Sequence, residues 1–480
     1  MAGTDHPSRN GIAWGLFLLA ASQLMMLTNP ATAGAVCNQV CSDGSSNTFF
    51  GVNTGVSATG TINTGFGVGA LSGNLTGGSN TAIGSDSLAS DTTGGNNTAI
   101  GTFALIFNDA GNNNTASGSG ALFENGSGSD NTANGATALG NNTMGGENTA
   151  TGYQALLINT MGNNNTADGS QALSRNTADD NTAIGAKAMY SNSSGTKNTA
   201  DGKQALQSNT TGSLNTAIGA SSLQTNTIGN YNNAIGVNAL FDNTSGNYNI
   251  ANGQGALRFN KTGENNVALG SYGLFSNTSG RNNIAVGTAA GQNLTTGNNN
   301  IDIGNMGVAA EGNTIRVGRQ GTQTRTFIAG ISGVPITGTT VVVNSSGQLG
   351  VATSASRFKR NISTIGGSSS ALMKLRPVTF IYKNDPSNTR QYGLIAEEVR
   401  RVYPELVTYD AQGKLESVRY EQLIAMLLNE LQKARAQIGR QAEQLARQSR
   451  QLQRVSAQIA QAKAQYELTL TTMQKHVATQ

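Results

Sequence analysis

NTAIGSDSLASDTTGGN at residues 80–96 is followed at once by NTAIGTFALIFNDAGNN at 97–113, and what these two lines share decides the fold. Each opens on N-T-A-I-G, sets a leucine four residues after that glycine (Leu88, Leu105) and closes in a run rich in Asn, Asp, Thr and Gly. Outward from this pair the pattern N-[TNIV]-[AD]-x-G recurs at Asn114, Asn131, Asn148, Asn165, Asn181, Asn198, Asn215, Asn232, Asn249, Asn266, Asn283 and Asn300. Every step is 17 residues except the 16 from Asn165 to Asn181. Degenerate copies at Asn47 (NTFFG) and Asn63 (NTGFG) bring the array to 16 units in register. The large apolar residue keeps its place throughout, from Leu88 to Leu274, with Met189 as the one departure from leucine.

A fixed period of this length is the mark of a solenoid. The unit reads as short strand, turn, short strand, turn, with Asn and Gly at the turns because both tolerate left-handed backbone angles. One unit cannot bury its few apolar groups alone. Stacked units can, with Ala, Ile and Leu pointing inward and Asn side chains forming ladders. At roughly 4.8 Å per coil, the 16 units make a rod of roughly 75 Å. A disordered Asn/Gly/Thr tract is the alternative, but disorder needs no fixed spacing of leucine.

Residues 47–304 resemble the head repeats of trimeric autotransporter adhesins, whose repeat is somewhat shorter. The resemblance implies a left-handed parallel β-roll in which three chains pack side by side. The expected fold class is therefore mainly β: a trimeric parallel β-roll or solenoid, then a small α+β domain and a coiled-coil helix.

Composition agrees. A chain of 480 residues with 62 glycines, 6 prolines and one tryptophan lacks the large apolar groups of an ordinary enzyme core, and its glycines have no collagen period. The formal net charge is +4, but 19 of the Lys and Arg residues, against 10 Asp and Glu, lie from Ser354 onward, so the chain before it is acidic. The basic excess belongs to a Gln/Arg-rich helix and a short domain, which reads as a solvated face and not as a nucleic-acid site.

Residues 1–33 read as a signal peptide, with Arg9 as the positive flank, an apolar run from Ile12 to Leu27 and the A-x-A site Ala31-Thr32-Ala33. An uncleaved anchor is the other reading of this segment. No later stretch is apolar enough to span a membrane. The expected location is exported: cell surface, outer membrane-associated or extracellular. Within the N-terminal segment 34–46, Cys37 and Cys41 are the only cysteines, and an oxidising compartment makes a local disulfide between them the expectation. No metal or cofactor site is read, since the two histidines, His6 and His476, stand at opposite ends.

Residues 305–353 change character. TRTFIAGISG (324–333) and VVVNSSGQLG (341–350) read as strand–turn segments of a β neck. At Ser354 the composition shifts again, through SASRFKRNI (354–362), LRPVTFIY (375–382), YGLIAEEVRRVYPELV (392–407) and VRYEQLIAMLLNEL (418–431). In this order these motifs resemble the intramolecular chaperone of endosialidases and phage tail spikes, the peptidase S74 family, from Ser354 to about Leu431, with the chaperone domain itself placed at 354–420. The resemblance implies a trimerising domain that cuts its own chain between Thr353 and Ser354, with Ser354 as nucleophile, Lys359 as its base and Arg357 as the family arginine. Ala355 stands where the family often has Asp, which puts the cleavage rate in question. Burial or the flanking Arg357 and Arg360 would lower the lysine's proton affinity, as a lysine base requires. Glu397, Glu398 and Tyr420 read as surface or packing residues.

Over 421–475, Ile424, Leu431, Ile438, Leu445, Leu452, Ile459 and Tyr466 recur every seven residues, and Leu427, Ala434, Gln441, Gln448, Val455 and Ala462 fill the second seam position. That is a coiled coil with polar layers. The homotrimer follows from the resemblances, not from the heptads. The function expected is an exported fibre or adhesin-like protein, with a cell-surface or glycan ligand for the rod and self-cleavage in cis as its only enzymatic act. The alternatives are an uncleaved fibre with a trimerisation clamp, and a tail-spike-like enzyme acting on polysaccharide. The last needs a carboxylate pair, whereas Asp86, Asp91, Asp109, Glu124 and Asp168 fall at different phases of the repeat.

Overall fold

The computed structural model describes residues 37–41, of which the backbone alone, and 46–479 apart from 330, 332–336, 345 and 411. The signal segment 1–33, most of the N-terminal segment and the side chains of Cys37 and Cys41 lie outside the described residues. The chain forms two compact units, Met1–Thr326 and Phe327–Gln480.

The first unit is a β-solenoid. Each coil contributes one short strand, from β2 (Thr48–Gly51) and β3 (Thr64–Phe66) through β4 (Thr81–Ile83) and β5 (Thr98–Ile100) to β17 (Ile301–Ile303). Successive strands pair in parallel and like meets like: Thr81 lies beside Thr98, Ala82 beside Ala99 and Ile83 beside Ile100. The middle residue of each strand points inward and its neighbours point outward, as a two-residue period requires. β1 (Cys37–Cys41) closes the first coil by pairing antiparallel with β2. β18 (Ile315–Val317) pairs in parallel with β17, so the sheet runs past Gly304.

The second strand expected in each coil is not one. Its alanine and leucine are sequence neighbours and both are fully buried, for example Ala104 with Leu105 and Ala155 with Leu156. Extended backbone would send them to opposite faces. The leucine instead takes a left-handed step, φ 52° at Leu105 and 49° at Leu156, which turns both side chains into the core. Left-handed backbone costs roughly 1–2 kcal/mol for a residue with a Cβ, and burying a leucine returns roughly 1.5–3 kcal/mol. A side chain unbranched at Cβ suits this conformation, and Leu or Met occupies the position from Leu71 to Leu274. The left-handed angles thus fall on buried leucines as well as on the Asn and Gly of the turns.

The motif glycine is needed for a different reason. Gly152 has φ 124°, and a Cβ on it would lie 2.7 Å from the carbonyl carbon of Gly169 in the next coil. Two asparagine ladders complete the interior. In the outer ladder, the first residue of each motif accepts the backbone N–H of its successor on Oδ1, as Asn181 does from Asn198 at 3.1 Å. In the inner ladder, the amide of Asn125 donates to Asn108 Oδ1 at 2.7 Å and that of Asn142 to Asn125 Oδ1 at 2.7 Å. In the 16-residue unit that starts at Asn165, the amide of Asn165 reaches the carbonyl of Ala178, 13 residues on, where the 17-residue units use a glycine 14 residues on, as Asn148 does with Gly162.

The ends of the core differ from its middle. Phe49 takes the alanine place in the first coil, and Gly55 and Gly65 leave room for its ring. At the other end Asp302 takes that place, opposite Arg316 on β18, whose guanidinium pairs with Glu311 at 2.7 Å.

The second unit opens on the hairpin β19 (Val341–Val343) and β20 (Leu349–Val351). The other segment read as a strand, 324–333, contains none among its described residues; Phe327 is 87% exposed and has no strand beside it to complete a ladder. Next come the hairpin β21 (Val378–Phe380) and β22 (Gln391–Gly393), helix α1 (Ala396–Val402), the hairpin β23 (Val407–Tyr409) and β24 (Leu415–Val418), and helix α2 (Tyr420–Val477). Leu372, Val399, Tyr403, Leu406, Val407, Val418 and Leu423 form its small core. Along α2 the seam residues are open, Ile424 at 71% and Leu452 at 70%. No helix among the described residues is long and apolar enough to cross a membrane.

Candidate functional site

Thr353 and Ser354 follow β20 in irregular, exposed chain. Ala355 is extended, and Ser356–Phe358 then make one 3₁₀ turn, closed by hydrogen bonds from Phe358 N–H to Ala355 O (3.0 Å) and from Lys359 N–H to Ser356 O (2.9 Å). This turn folds the lysine back over the start of the segment, and Lys359 Nζ donates to Ser354 Oγ at 3.1 Å. Both side chains are exposed. Arg357 lies over the ring of Phe358, 4.6 Å from its centroid.

An ammonium that donates to a hydroxyl orients it but takes no proton from it. To act as a base, Lys359 must first become neutral, and withdrawal from water is the physical route. Phe358 and Ile362, close in sequence to Lys359, are exposed apolar side chains that a covering surface could bury.

The other residues singled out from the sequence do structural work. Glu398 pairs with Arg376 through two contacts, 2.6 and 3.2 Å, and this guanidinium holds its carboxyl below the usual range. Glu397 is exposed. Tyr420 Oη accepts the N–H of Leu394 at 2.9 Å, and a Cβ at Gly393 would lie 2.7 Å from that oxygen. The structure adds a cluster with no local sequence signal. Buried Ser369 donates to Glu430 at 2.5 Å and accepts from Asn429 at 2.5 Å, while Lys433 bridges to Glu430 at 2.7 Å. It ties the turn Gly366–Ser369 to α2 across some sixty residues of sequence.

In the solenoid, the acids considered for glycosidic chemistry do not pair. Asp91 is buried in the inner ladder, and Asp109, Glu124 and Asp168 are exposed on different coils. Among the described residues no cluster of three or more His, Cys, Asp or Glu is placed to hold a metal ion.

Residues 354–408 match the family model of peptidase S74, the chaperone of endosialidase, and the match begins at Ser354 itself. No curated protein matches the chain.

Proposed function

We propose that this chain is an exported homotrimeric fibre whose C-terminal domain is an intramolecular chaperone that trimerises three rods and then cuts itself free between Thr353 and Ser354. The observation that carries this reading is the chaperone-family match, which starts at a serine whose Oγ is held 3.1 Å from a lysine Nζ and follows a β-solenoid.

The trimer is supported by surfaces that one chain leaves bare. Along the outer strand face, Ile83, Ile100, Ile184, Ile218, Leu269 and Ile303 are each about two-fifths exposed in the same repeat position. The α2 seam is bare in the same way. Each parallel strand must close a whole coil before its pairing is rewarded, so a C-terminal clamp that aligns three chains would set the register of the coils above it. The rod would carry the binding role, towards a cell-surface or glycan partner, by analogy of architecture.

For cleavage, Ser354 Oγ attacks the carbonyl carbon of Thr353 while its proton passes to neutral Lys359 Nζ. The peptide C–N bond breaks as the lysine returns that proton to the departing amine of Ser354. Water then hydrolyses the resulting ester, leaving a Thr353 carboxylate and a new N-terminus at Ser354. The attack is local and needs no substrate cleft. Assembly supplies the missing step by covering Lys359. Cleavage after assembly removes the clamp and makes unfolding hard to reverse.

The test is intact mass and light scattering of the expressed chain beside Ser354→Ala and Lys359→Ala. A fragment starting at Ser354, lost in both variants while the trimer persists, is the expected result. An uncut wild-type trimer would reduce the domain to a clamp, a reading that the exposure of Lys359 favours. A cut monomer would refute the link between assembly and cleavage.

A further inference from the structure

The inner asparagine ladder contains one carboxyl rung. From Asn108 to Asn277 each rung's Nδ2 donates twice: Asn260, for example, to Asn243 Oδ1 in the coil before at 2.9 Å and to the carbonyl of Gly263 in its own coil at 3.0 Å. Position 91 is Asp. Its Oδ1 behaves as an asparagine's would, accepting from Asn108 Nδ2 at 2.9 Å, and it also takes the N–H of Gly94 at 3.1 Å. Its Oδ2 stands in the place of the amide nitrogen, with Asn80 Nδ2 at 3.3 Å.

The rung before it is Asn74, whose Oδ1 is buried and has no partner. One other ladder oxygen shares that condition, Asn277 Oδ1, and there the next coil has Leu294 at the ladder position. The cause is common to both: the following coil supplies no amide. Leucine can never supply a donor. A carboxyl can, by carrying a proton.

We infer that Asp91 stands in the folded rod as a neutral carboxylic acid whose Oδ2–H donates to Asn74 Oδ1, and that losing this proton loosens the joint between the coils that begin at Asn63 and Asn80. The proton satisfies an orphaned buried acceptor and removes a buried charge with one change. The charged group acting on Asp91 from the neighbouring coil is Asp109, which opposes a second negative charge. Burial, and then Asp109, push the carboxyl up from 3.8 to about 7 against the pull of the Asn108 and Gly94 hydrogen bonds. The unfolded chain ionises at the ordinary value. The joint is therefore firmest below 3.8 and weakens as the pH rises through about 7. The N-terminal coils thereby become a pH-sensitive stretch of the rod.

The experiment is amide exchange on the full chain, corrected for the chemical rate, in wild type and Asp91→Asn. The asparagine restores the missing donor, so the variant folds at least as well. Protection of residues 64–90 in wild type should fall by about tenfold or more between about pH 5 and about pH 8, and the variant should be flat over that range. A wild-type profile as flat as the variant's, or an equal slope in both, would overturn the inference. Infrared difference spectra of the same pair give a second readout. A protonated carboxyl band at about pH 6 that fades by about pH 8 supports it, and its absence refutes it.

Discussion

Replacing one rung of the outer ladder, Asn198→Ala, should cost far more than its small change in volume suggests. Asn198 Nδ2 donates to Asn181 Oδ1 at 3.2 Å and to the carbonyl of Gly212 at 2.9 Å. Its Oδ1 accepts the backbone N–H of Asn215 at 3.0 Å and the amide of Asn215 at 3.1 Å. In the alanine variant the Gly212 carbonyl keeps Asn209 as donor, and Asn181 Oδ1 keeps the N–H of residue 198. The N–H of Asn215 keeps nothing, and it is buried. One orphaned donor at roughly 1–3 kcal/mol and three lost hydrogen bonds near 1 kcal/mol each, less some relaxation, come to about 4 kcal/mol. That is about a thousandfold in the local opening constant. Because coils touch only their neighbours, the loss should stay local, so amide exchange across Thr199–Asp201 and Thr216–Ile218 is the assay, with the strands Thr98–Ile100 and Ile301–Ile303, each six coils from Asn198, as the internal reference. The exposed Asn112→Ala, which frees the N–H of Gly95 and the carbonyl of Ala110 where both are exposed, serves as control at about 0.5 kcal/mol or less. A loss below about 1 kcal/mol for Asn198→Ala would mean that water replaces the ladder freely and that apolar packing alone holds the coils.

Gly152→Ala places a Cβ 2.7 Å from the carbonyl carbon of Gly169 at φ 124°, so the coils must part; a loss above about 3 kcal/mol in urea unfolding is expected. Asp302, raised to about 6 by burial and then by the charge of Glu311, has the same sign of pH dependence as any raised carboxyl: stability is full below 3.8 and lost as pH rises through about 6. Asp302→Asn should flatten that dependence in the exchange of Ile301–Val317 while leaving the first coils unchanged. Tyr420→Phe removes the acceptor of Leu394 N–H and should lower the melting stability of the second unit by about 1 kcal/mol.

The period alone revealed the stacked coils, the inward alanines and leucines and the asparagine ladders, because each is a side-chain preference repeated at a fixed spacing; the isoleucines expected inside with them face outward, Ile83 and Ile100 among them, because only the middle residue of each three-residue strand points in. It did not reveal the left-handed leucines. Hydrophobic pattern reports which side chains are buried, not the backbone angle that buries two neighbours together, so Ala104-Leu105 reads like a strand until its φ of 52° is known. TRTFIAG was misread for a related reason: Phe327 and Ile328 have strand propensity, but a strand also needs a partner. At the candidate site, Ser354 and Lys359 were singled out through the family resemblance of the motifs that follow them, since their spacing alone carries almost no signal; a single turn brings the two side chains together. The Ser369, Asn429, Glu430 and Lys433 cluster was not, since its members come from distant segments and none carries a motif. Asp91 stood out in the sequence only as a scattered acid; its meaning comes from the asparagines on either side of it.

The like-to-like register of the coils makes length a quantised property of this molecule. Removing 199–215 would bring Thr216 behind Asn198 in the place Thr199 now holds, with the same outer rung, the same motif glycine and the same inner rung offered to the neighbour above. No new interface has to be invented, so the chain can be shortened or extended in whole coils of about 4.8 Å each. The rod is thus a molecular ruler whose graduations are written in its gene, and the distance between its two ends can be reset by recombination without a change in chemistry at either one.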